Sequence, residues 1–182
     1  MPGWLNLANC FTLLRLVLVP FVVVAILNFQ GWRAVELFAA AAVTDILDGA
    51  AARRLGLATQ TGAWLDPIAD KFLLSGVFLA LAAVRTVPWW FVAVVFGRDL
   101  YLLVTAGALM AFTHIRKFPP SRWGKASTFC QIAAAALAMG RDMLNLGSLA
   151  GLAAVVLWIS TVLTLWTGVH YTWRGVRVLR AH

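Results

Sequence analysis

Charged residues are scarce in this sequence. They make up 12% of the 182 residues, whereas 62% of the residues are hydrophobic. An ordinary soluble domain carries roughly 25% charged and about 45–50% apolar residues. So little polar surface cannot cover a water-soluble globule of this size, and the mean hydropathy of +0.86 agrees. The composition therefore excludes an ordinary soluble fold and predicts that the solvent around the protein is lipid.

Cysteine is almost absent as well. The sequence has Cys10 and Cys130, and both lie in apolar segments. A disulfide-stabilised secreted fold needs a dense, even set of cysteines, so we interpret these two as small packing residues. The N-terminal segment also lacks the order of a cleaved signal peptide, because its charged residue, Arg15, lies inside the apolar run. We expect a retained first membrane helix there.

Long apolar segments are what the sequence has in abundance. A transmembrane helix needs about 20 mostly apolar residues. Six segments meet this criterion, near residues 12–29, 34–52, 67–85, 88–112, 126–143 and 148–171. Gly31, Pro88 and Gly147 mark breaks between them. The sequence therefore predicts an all-α integral membrane protein with six transmembrane helices, forming one domain over residues 1–182.

Basic residues are distributed unevenly between the two predicted sides of the membrane. One side has ten of them: Arg15, Arg53, Arg54, Arg116, Lys117, Arg122, Lys125, Arg174, Arg177 and Arg180. The other has three: Arg33, Arg85 and Arg141. Cytoplasmic loops show this excess, so we expect a multi-pass protein of the cell inner membrane with both termini in the cytoplasm. Anionic lipid headgroups account for the net charge of +8, and no nucleic acid partner is expected.

Acidic residues are rarer still, and they are clustered. The sequence has seven, and four of them are Asp45, Asp48, Asp66 and Asp70. An aspartate in a membrane helix costs about 2.5–3.5 kcal/mol on insertion scales, and neighbouring carboxylates repel one another. Spacings of three and four residues place each pair on one helix face. We expect the second and third helices, joined by a loop of about a dozen residues, to face one another around a polar cavity on the cytoplasmic side.

Such a cavity favours divalent cations. Carboxylate oxygens are the ligands that Mg²⁺ or Mn²⁺ prefers, and two ions about 3.5–4 Å apart would hold the attacking and leaving oxygens of a phosphoryl transfer. Gly49, Ala52 and Gly62 would let a nucleotide approach the backbone, and Arg53 could either pair with a phosphate or steady an aspartate. Taken singly, each small residue is better explained by helix packing.

A cation transporter is the main rival hypothesis, since carboxylate clusters in membranes also line ion paths. A transporter would place its acidic groups near the bilayer midplane and show repeat symmetry. Here the aspartates lie near one edge, beside Arg53 and Arg54, and the two halves of the sequence are not alike. The sequence favours the enzyme.

The combined pattern is highly specific. It reads Asp45-x-x-Asp48-Gly49-x-x-Ala52-Arg53, eight residues, Gly62-x-x-x-Asp66-x-x-x-Asp70. All eight fixed positions match, and the sequence resembles the CDP-alcohol phosphatidyltransferase family over essentially its whole length. Members of that family displace CMP from a CDP-linked lipid by attack of an alcohol hydroxyl, and they are usually homodimers.

The resemblance also implies roles for these residues. Asp45, Asp48 and Asp66 would be metal ligands, and Asp70 would be the general base, with a metal contact of its own. The residues that would line the CDP site are Gly49, Ala52, Arg53 and Gly62. Asn9, Thr12 and Arg15 share one helix face and resemble the Asn-x-x-Thr-x-x-Arg opening of bacterial members; they would either contact substrate or pack at the interface. Lys71 would either reach a lipid phosphate or pair with a carboxylate.

The acceptor alcohol is less well defined. Arg116, Arg122 and Lys125 in one cytoplasmic loop, together with Arg98, would suit an acceptor that bears a phosphate; positive-inside bias would also supply the loop residues, and an ion pair with Asp99 would also explain Arg98. The sequence most resembles family members that combine CDP-diacylglycerol with glycerol 3-phosphate. Those members usually have Arg-Glu at the position of Arg98-Asp99, and Arg-Asp is closer to members whose acceptor is phosphatidylglycerol.

Overall fold

The protein is a bundle of helices. The computed structural model describes the backbone of residues 7–55, 60–112 and 122–180, and the side chains of residues 13–44, 69–105, 107 and 122–173. Its helices are α1 (Leu7–Leu27), α2 (Gly31–Leu55), α3 (Gln60–Ala83), α4 (Trp89–Phe112), α5 (Arg122–Met143) and α6 (Ala150–Arg180). A short 3-10 turn, Gly147–Leu149, precedes α6. The described backbone has six α-helices and no strand, which confirms the all-α prediction.

The connection between α2 and α3 is shorter than predicted. We expected about a dozen residues, whereas α2 continues to Leu55 and α3 begins at Gln60, which leaves residues 56–59. Hydropathy locates the apolar part of a membrane helix, and a helix continues beyond that part where polar residues reach the headgroup layer. Gly62 and Asp66 therefore lie in α3, and Arg53 lies in α2.

The outer surface of the bundle is apolar. On α6, Trp158, Val162 and Val169 are 60–64% exposed, and on α1 the exposed residues include Val17 and Phe21. Within the described residues, Gly147–Trp173 is the one segment long and apolar enough to cross a membrane by a strict criterion, and Leu13–Leu27 is a shorter apolar helix. Large exposed apolar patches mark a surface that another apolar phase covers.

Packing divides the bundle into two groups of helices. Helix α1 contacts both α2 and α3, and α6 contacts both α4 and α5. Contacts of α3 with α4 and α5, and of α2 with α5, join the groups. The buried apolar core includes Ile26 of α1, Phe38 of α2, Phe78 of α3 and Phe91 of α4, and the rings of Phe78 and Phe91 meet edge to face. This core fixes the relative positions of the first four helices.

Tight turns close the bundle at one end. Phe29 and Arg85 follow α1 and α3 with positive φ angles of 54° and 62°. The next residues, Gln30 and Thr86, donate backbone hydrogen bonds to carbonyls five residues back, at 2.9 Å each. This pattern is typical of an α-helix whose C-terminus is closed by one residue in the left-handed conformation. Arg141 at the end of α5 donates a hydrogen bond of 2.8 Å to the carbonyl of Thr86, so α5 is attached to the α3–α4 turn.

Candidate active site

The four aspartate positions lie at the end of the bundle opposite these turns. Only residues 28–30 join α1 to α2, so the two helices run antiparallel. With a rise of about 1.5 Å per residue, Arg15 lies about 18 Å from the end of α1, and Asp45 about 21 Å from the start of α2. Asp70 bonds directly to Arg15. Three helices therefore bring Arg15, Asp45 and Asp70 to one depth in the bundle.

The ion pair between Arg15 and Asp70 is the best-defined contact at this depth. Arg15 Nη1 lies 2.5 Å from Asp70 Oδ1. The Arg15 side chain is 0% exposed, whereas that of Asp70 is 41% exposed. A guanidinium in such a setting must be paired, because an isolated buried charge is strongly unfavourable. The pair therefore compensates one of the four carboxylates while leaving it accessible from outside.

The other predicted residues of the carboxylate site are placed by backbone alone. Asp45, Asp48, Gly49, Ala52 and Arg53 lie in the second half of α2, and Gly62 and Asp66 lie in the first two turns of α3. Asn9 and Thr12 lie in the first two turns of α1. The side chains of all nine are outside the described residues. Their roles stay predictions.

The chemistry of the donor set fits a divalent cation. All four positions carry carboxylates, which are hard oxygen ligands, and the carboxylate of Asp70 is reachable from solvent. Among described side chains, no three potential ligands come together, which follows from Asp70 being the only member of the set with a described side chain. Mg²⁺ or Mn²⁺ would be held by Asp45, Asp48, Asp66 and Asp70.

A second charged cluster lies next to Asp70 on the side of α4. Asp99 of α4 forms an ion pair with Lys71 of α3 through Oδ2. Its other oxygen, Oδ1, accepts a hydrogen bond of 2.8 Å from Arg98 Nη1. Of the two alternatives for Lys71, the structure shows the pairing with a carboxylate. Arg98 likewise forms an ion pair with Asp99, and the Arg98 side chain is only 10% exposed.

Arg98 also connects this cluster to a buried polar seam between α5 and α6. Arg98 Nε donates a hydrogen bond of 3.1 Å to Thr167 Oγ1, and Thr167 bonds to the carbonyl of Thr164 at 2.8 Å. The Thr164 hydroxyl lies 3.1 Å from both Ser127 Oγ and Gln131 Nε2. Sequence reasoning missed the seam. Its signal was weak, since hydroxyl and amide side chains are common in membrane helices.

The predicted acceptor residues are not gathered into one described pocket. Arg122 and Lys125 begin α5 and are exposed, and Arg98 lies in the cluster with Asp99. Arg116 lies outside the described residues. Whether these cations bind an acceptor stays a prediction.

Comparison with known proteins identifies the family. A family model described as CDP-alcohol phosphatidyltransferase matches residues 5–166, which is most of the chain. The chain belongs to this family. Members of the CDP-alcohol phosphatidyltransferase family are embedded in membranes, in agreement with the apolar surface of the bundle.

Individual relatives refine the comparison. A protein of Mycobacterium tuberculosis named probable phosphatidylglycerophosphate synthase is 38% identical over 94% of this chain and 82% of its own length. A Bacillus subtilis protein named CDP-diacylglycerol–glycerol-3-phosphate 3-phosphatidyltransferase is 31% identical over 91% of this chain and 93% of its own. A Drosophila melanogaster protein named probable cardiolipin synthase (CMP-forming) is 33% identical, but over 66% of this chain and 37% of its own.

Proposed function

We infer that this chain is an enzyme of phospholipid biosynthesis that transfers a phosphatidyl group from CDP-diacylglycerol to glycerol 3-phosphate. The products are phosphatidylglycerophosphate and CMP. The observation that carries this inference is the similarity to relatives named for that reaction, which extends over more than nine-tenths of the chain. The complete aspartate motif of this chain lies within residues 5–166, the part that the family model matches. The accessible carboxylate of Asp70, fixed by a buried arginine, is the group that the chemistry requires.

The reaction exchanges one oxygen–phosphorus bond for another. A hydroxyl oxygen of glycerol 3-phosphate attacks the lipid-side phosphorus of CDP-diacylglycerol. The bond from that phosphorus to the bridging oxygen breaks, and CMP leaves with that oxygen. We propose that Asp70 accepts the proton of the attacking hydroxyl, since a positioned carboxylate within hydrogen-bond reach makes the oxygen a better nucleophile. The pair with Arg15 holds the Asp70 carboxylate in a fixed orientation for this step.

The remaining motif residues would bind the donor. Asp45, Asp48 and Asp66 would hold Mg²⁺ or Mn²⁺ together with Asp70, and the ions would supply positive charge to neutralise the diphosphate of the substrate. The residues that would line the CDP site are Gly49, Ala52, Arg53 and Gly62. Thr12 and Asn9, one and two turns before Arg15 on α1, would contact the substrate from that helix.

The membrane arrangement is also a proposal. All six helices have between 21 and 31 residues, which is enough for about 30 Å of hydrocarbon, and the basic residues concentrate at the aspartate end. We propose six spans with both termini and the aspartate cavity at the cytoplasmic face of the inner membrane, in a homodimer. In intact cells, a maleimide that cannot cross the membrane should label Arg85→Cys and not Lys125→Cys. The opposite pattern would reverse this topology.

An acceptor panel tests the reaction. The purified protein is supplied with CDP-diacylglycerol and Mg²⁺ or Mn²⁺, and separately with glycerol 3-phosphate, phosphatidylglycerol, inositol phosphate or serine. CMP release with glycerol 3-phosphate, lost on addition of EDTA, is the expected result. Release with inositol phosphate or serine alone would assign a different acceptor, and no release with any acceptor would contradict the proposed function.

Phosphatidylglycerol is the alternative acceptor, which would make the enzyme a cardiolipin synthase. The Arg98-Asp99 sequence and the similarity to the Drosophila relative favour it. That similarity covers a smaller part of both chains, so glycerol 3-phosphate is preferred. CMP release with phosphatidylglycerol and none with glycerol 3-phosphate would reverse the order.

A further inference from the structure

Asp70 and Lys71 are consecutive residues of α3 that carry opposite charges, and their side chains point toward different helices. Neighbouring residues of an α-helix are separated by about 100° around its axis. Asp70 faces α1, where Arg15 binds it, whereas Lys71 faces α4, where Asp99 binds it. The two side chains thus bind partners on different helices although their Cα atoms are only about 3.8 Å from one another.

Without a partner on α4, Lys71 would compete for the carboxylate site. Its side chain is 51% exposed, so packing alone does not hold it, and a lysine stem has four flexible carbons. The nearest anionic groups by sequence are Asp70 and Asp66, both members of the proposed metal-binding set. An ammonium paired with these carboxylates would repel divalent ions and occupy oxygen ligands.

We propose that Asp99 is a positioning residue that binds Lys71 against α4 and thereby keeps its ammonium away from the metal-binding carboxylates. This inference rests on the proposed function, because it assumes that those carboxylates bind divalent ions. In this role Asp99 acts through Lys71.

Arg98, the second cation bound to Asp99, makes it possible to test the role of Lys71 separately. Asp99 also binds Arg98 through Nη1, and Arg98 donates a separate hydrogen bond to Thr167 through Nε. Removing Lys71 therefore leaves Asp99 with a cationic partner, and neutralising Asp99 leaves Arg98 with a polar one. Lys71 alone loses its described partner when Asp99 is neutralised.

The experiment measures metal binding directly. Mn²⁺ is titrated into purified protein in detergent, and the free ion is followed by the amplitude of its electron paramagnetic resonance signal. We expect Asp99→Asn to raise the Mn²⁺ concentration for half-saturation about tenfold, since a unit charge several ångströms from the ions in a partly hydrated site has an effect of this order. Lys71→Gln alone should bind Mn²⁺ within about threefold of the wild type, and Asp99→Glu, which keeps the charge, should do the same.

The double variant decides between positioning and general structural support. If Asp99 acts by holding Lys71, Asp99→Asn combined with Lys71→Gln should recover binding to within about threefold of the Lys71→Gln variant. If Asp99 only supports α4, or acts through Arg98, the double variant should bind as weakly as Asp99→Asn or more weakly, and this outcome would overturn the proposal. Unchanged binding in Asp99→Asn, or no Mn²⁺ binding by the wild type, would overturn it too.

The readout separates this inference from the proposed reaction. Wild-type protein that binds Mn²⁺ and shows the rescue, yet releases no CMP with any acceptor, would support the positioning role while contradicting the proposed transferase activity. CMP release by the wild type, without recovery of Mn²⁺ binding in the double variant, would support the transferase activity and contradict the positioning role. Thermal unfolding of each variant in detergent checks that a loss of binding is not a loss of fold.

Discussion

Arg15 Nη1 lies 2.5 Å from Asp70 Oδ1, although 55 residues separate them along the chain. The arginine is fully buried in α1 and the aspartate is partly exposed on α3. This contact joins α1 to α3 at the depth of the aspartate motif. It also gives the proposed general base a fixed orientation, since a charge-assisted hydrogen bond is shorter and stronger than a neutral one.

Neutralising Asp70 should abolish turnover. Asp70→Asn keeps the size of the side chain but removes its capacity to accept a proton, and general base catalysis contributes about 10²–10⁴-fold to rate. We expect CMP release to fall by at least about 100-fold, with the circular dichroism spectrum unchanged. Asp142→Asn is the matched control. Asp142 is also an aspartate paired with an arginine, Arg141, but it lies at the other end of the bundle. An Asp70→Asn enzyme with near-normal turnover would exclude Asp70 as the base.

Removing Arg15 should lower both the stability of the protein to unfolding and its kcat. Arg15→Met leaves the carboxylate of Asp70 without this cation, and hydrogen bonds to charged groups are worth roughly 1.5–3 kcal/mol. Partial exposure of Asp70 places the expected loss at the lower end of that range. Arg15→Lys keeps the charge with a different reach, and we expect an intermediate result. Unfolding in detergent and kcat are the measurements. Wild-type values for Arg15→Met would show that the pair is dispensable.

The aspartate motif could be found from the sequence because charge is conspicuous in apolar helices. Asp45, Asp48, Asp66 and Asp70 are four of seven acidic residues in the protein, and their spacing defines helix faces. The helices themselves were predictable for a similar reason, since long apolar segments have few alternatives to a helix in lipid. Their ends were not, because hydropathy does not locate helix termini, as the short α2–α3 connection shows.

Contacts between distant segments could not be predicted from the sequence. The partner of Arg15 depends on which helices are neighbours, and six segments allow many arrangements. Local spacing left two alternatives for Lys71, and only the position of α4 against α3 shows its pairing with Asp99. The hydroxyl of Thr164 gave no usable signal, because a threonine in an apolar helix often bonds to its own backbone.

The seam between α5 and α6 should contribute to stability. Thr164 is fully buried and its hydroxyl lies 3.1 Å from both Ser127 and Gln131. Thr164→Val keeps the shape but leaves the Gln131 amide without this acceptor, which costs about 1–3 kcal/mol for a buried group. We expect a lower midpoint of unfolding in detergent. Thr105→Val is the control, since the Thr105 hydroxyl bonds to carbonyls of its own helix; an equal loss in both variants would argue against the seam.

Gly31 should be intolerant of a side chain. It begins α2 where the end of α5 passes, and a Cβ atom added there would lie 2.2 Å from the carbonyl oxygen of Met143. That oxygen belongs to the backbone and cannot rotate away, so Gly31→Ala must displace one helix from the other. Overpacking of this kind costs about 1–3 kcal/mol. We expect a lower Tm in detergent.

The location of Gly31 in the bundle leads to a separate prediction for kcat. Gly31 lies at the end opposite Asp70, so Gly31→Ala protein that remains folded should keep its kcat. Gly107→Ala is the matched control in α4, because nothing lies within 4 Å of the added Cβ and alanine favours a helix by roughly 1 kcal/mol over glycine. Its Tm should be unchanged or higher. If Gly31→Ala were as stable as Gly107→Ala, the close approach of α2 to α5 would be wrong, and with it one of the contacts that join the aspartate-bearing helices to the rest of the bundle.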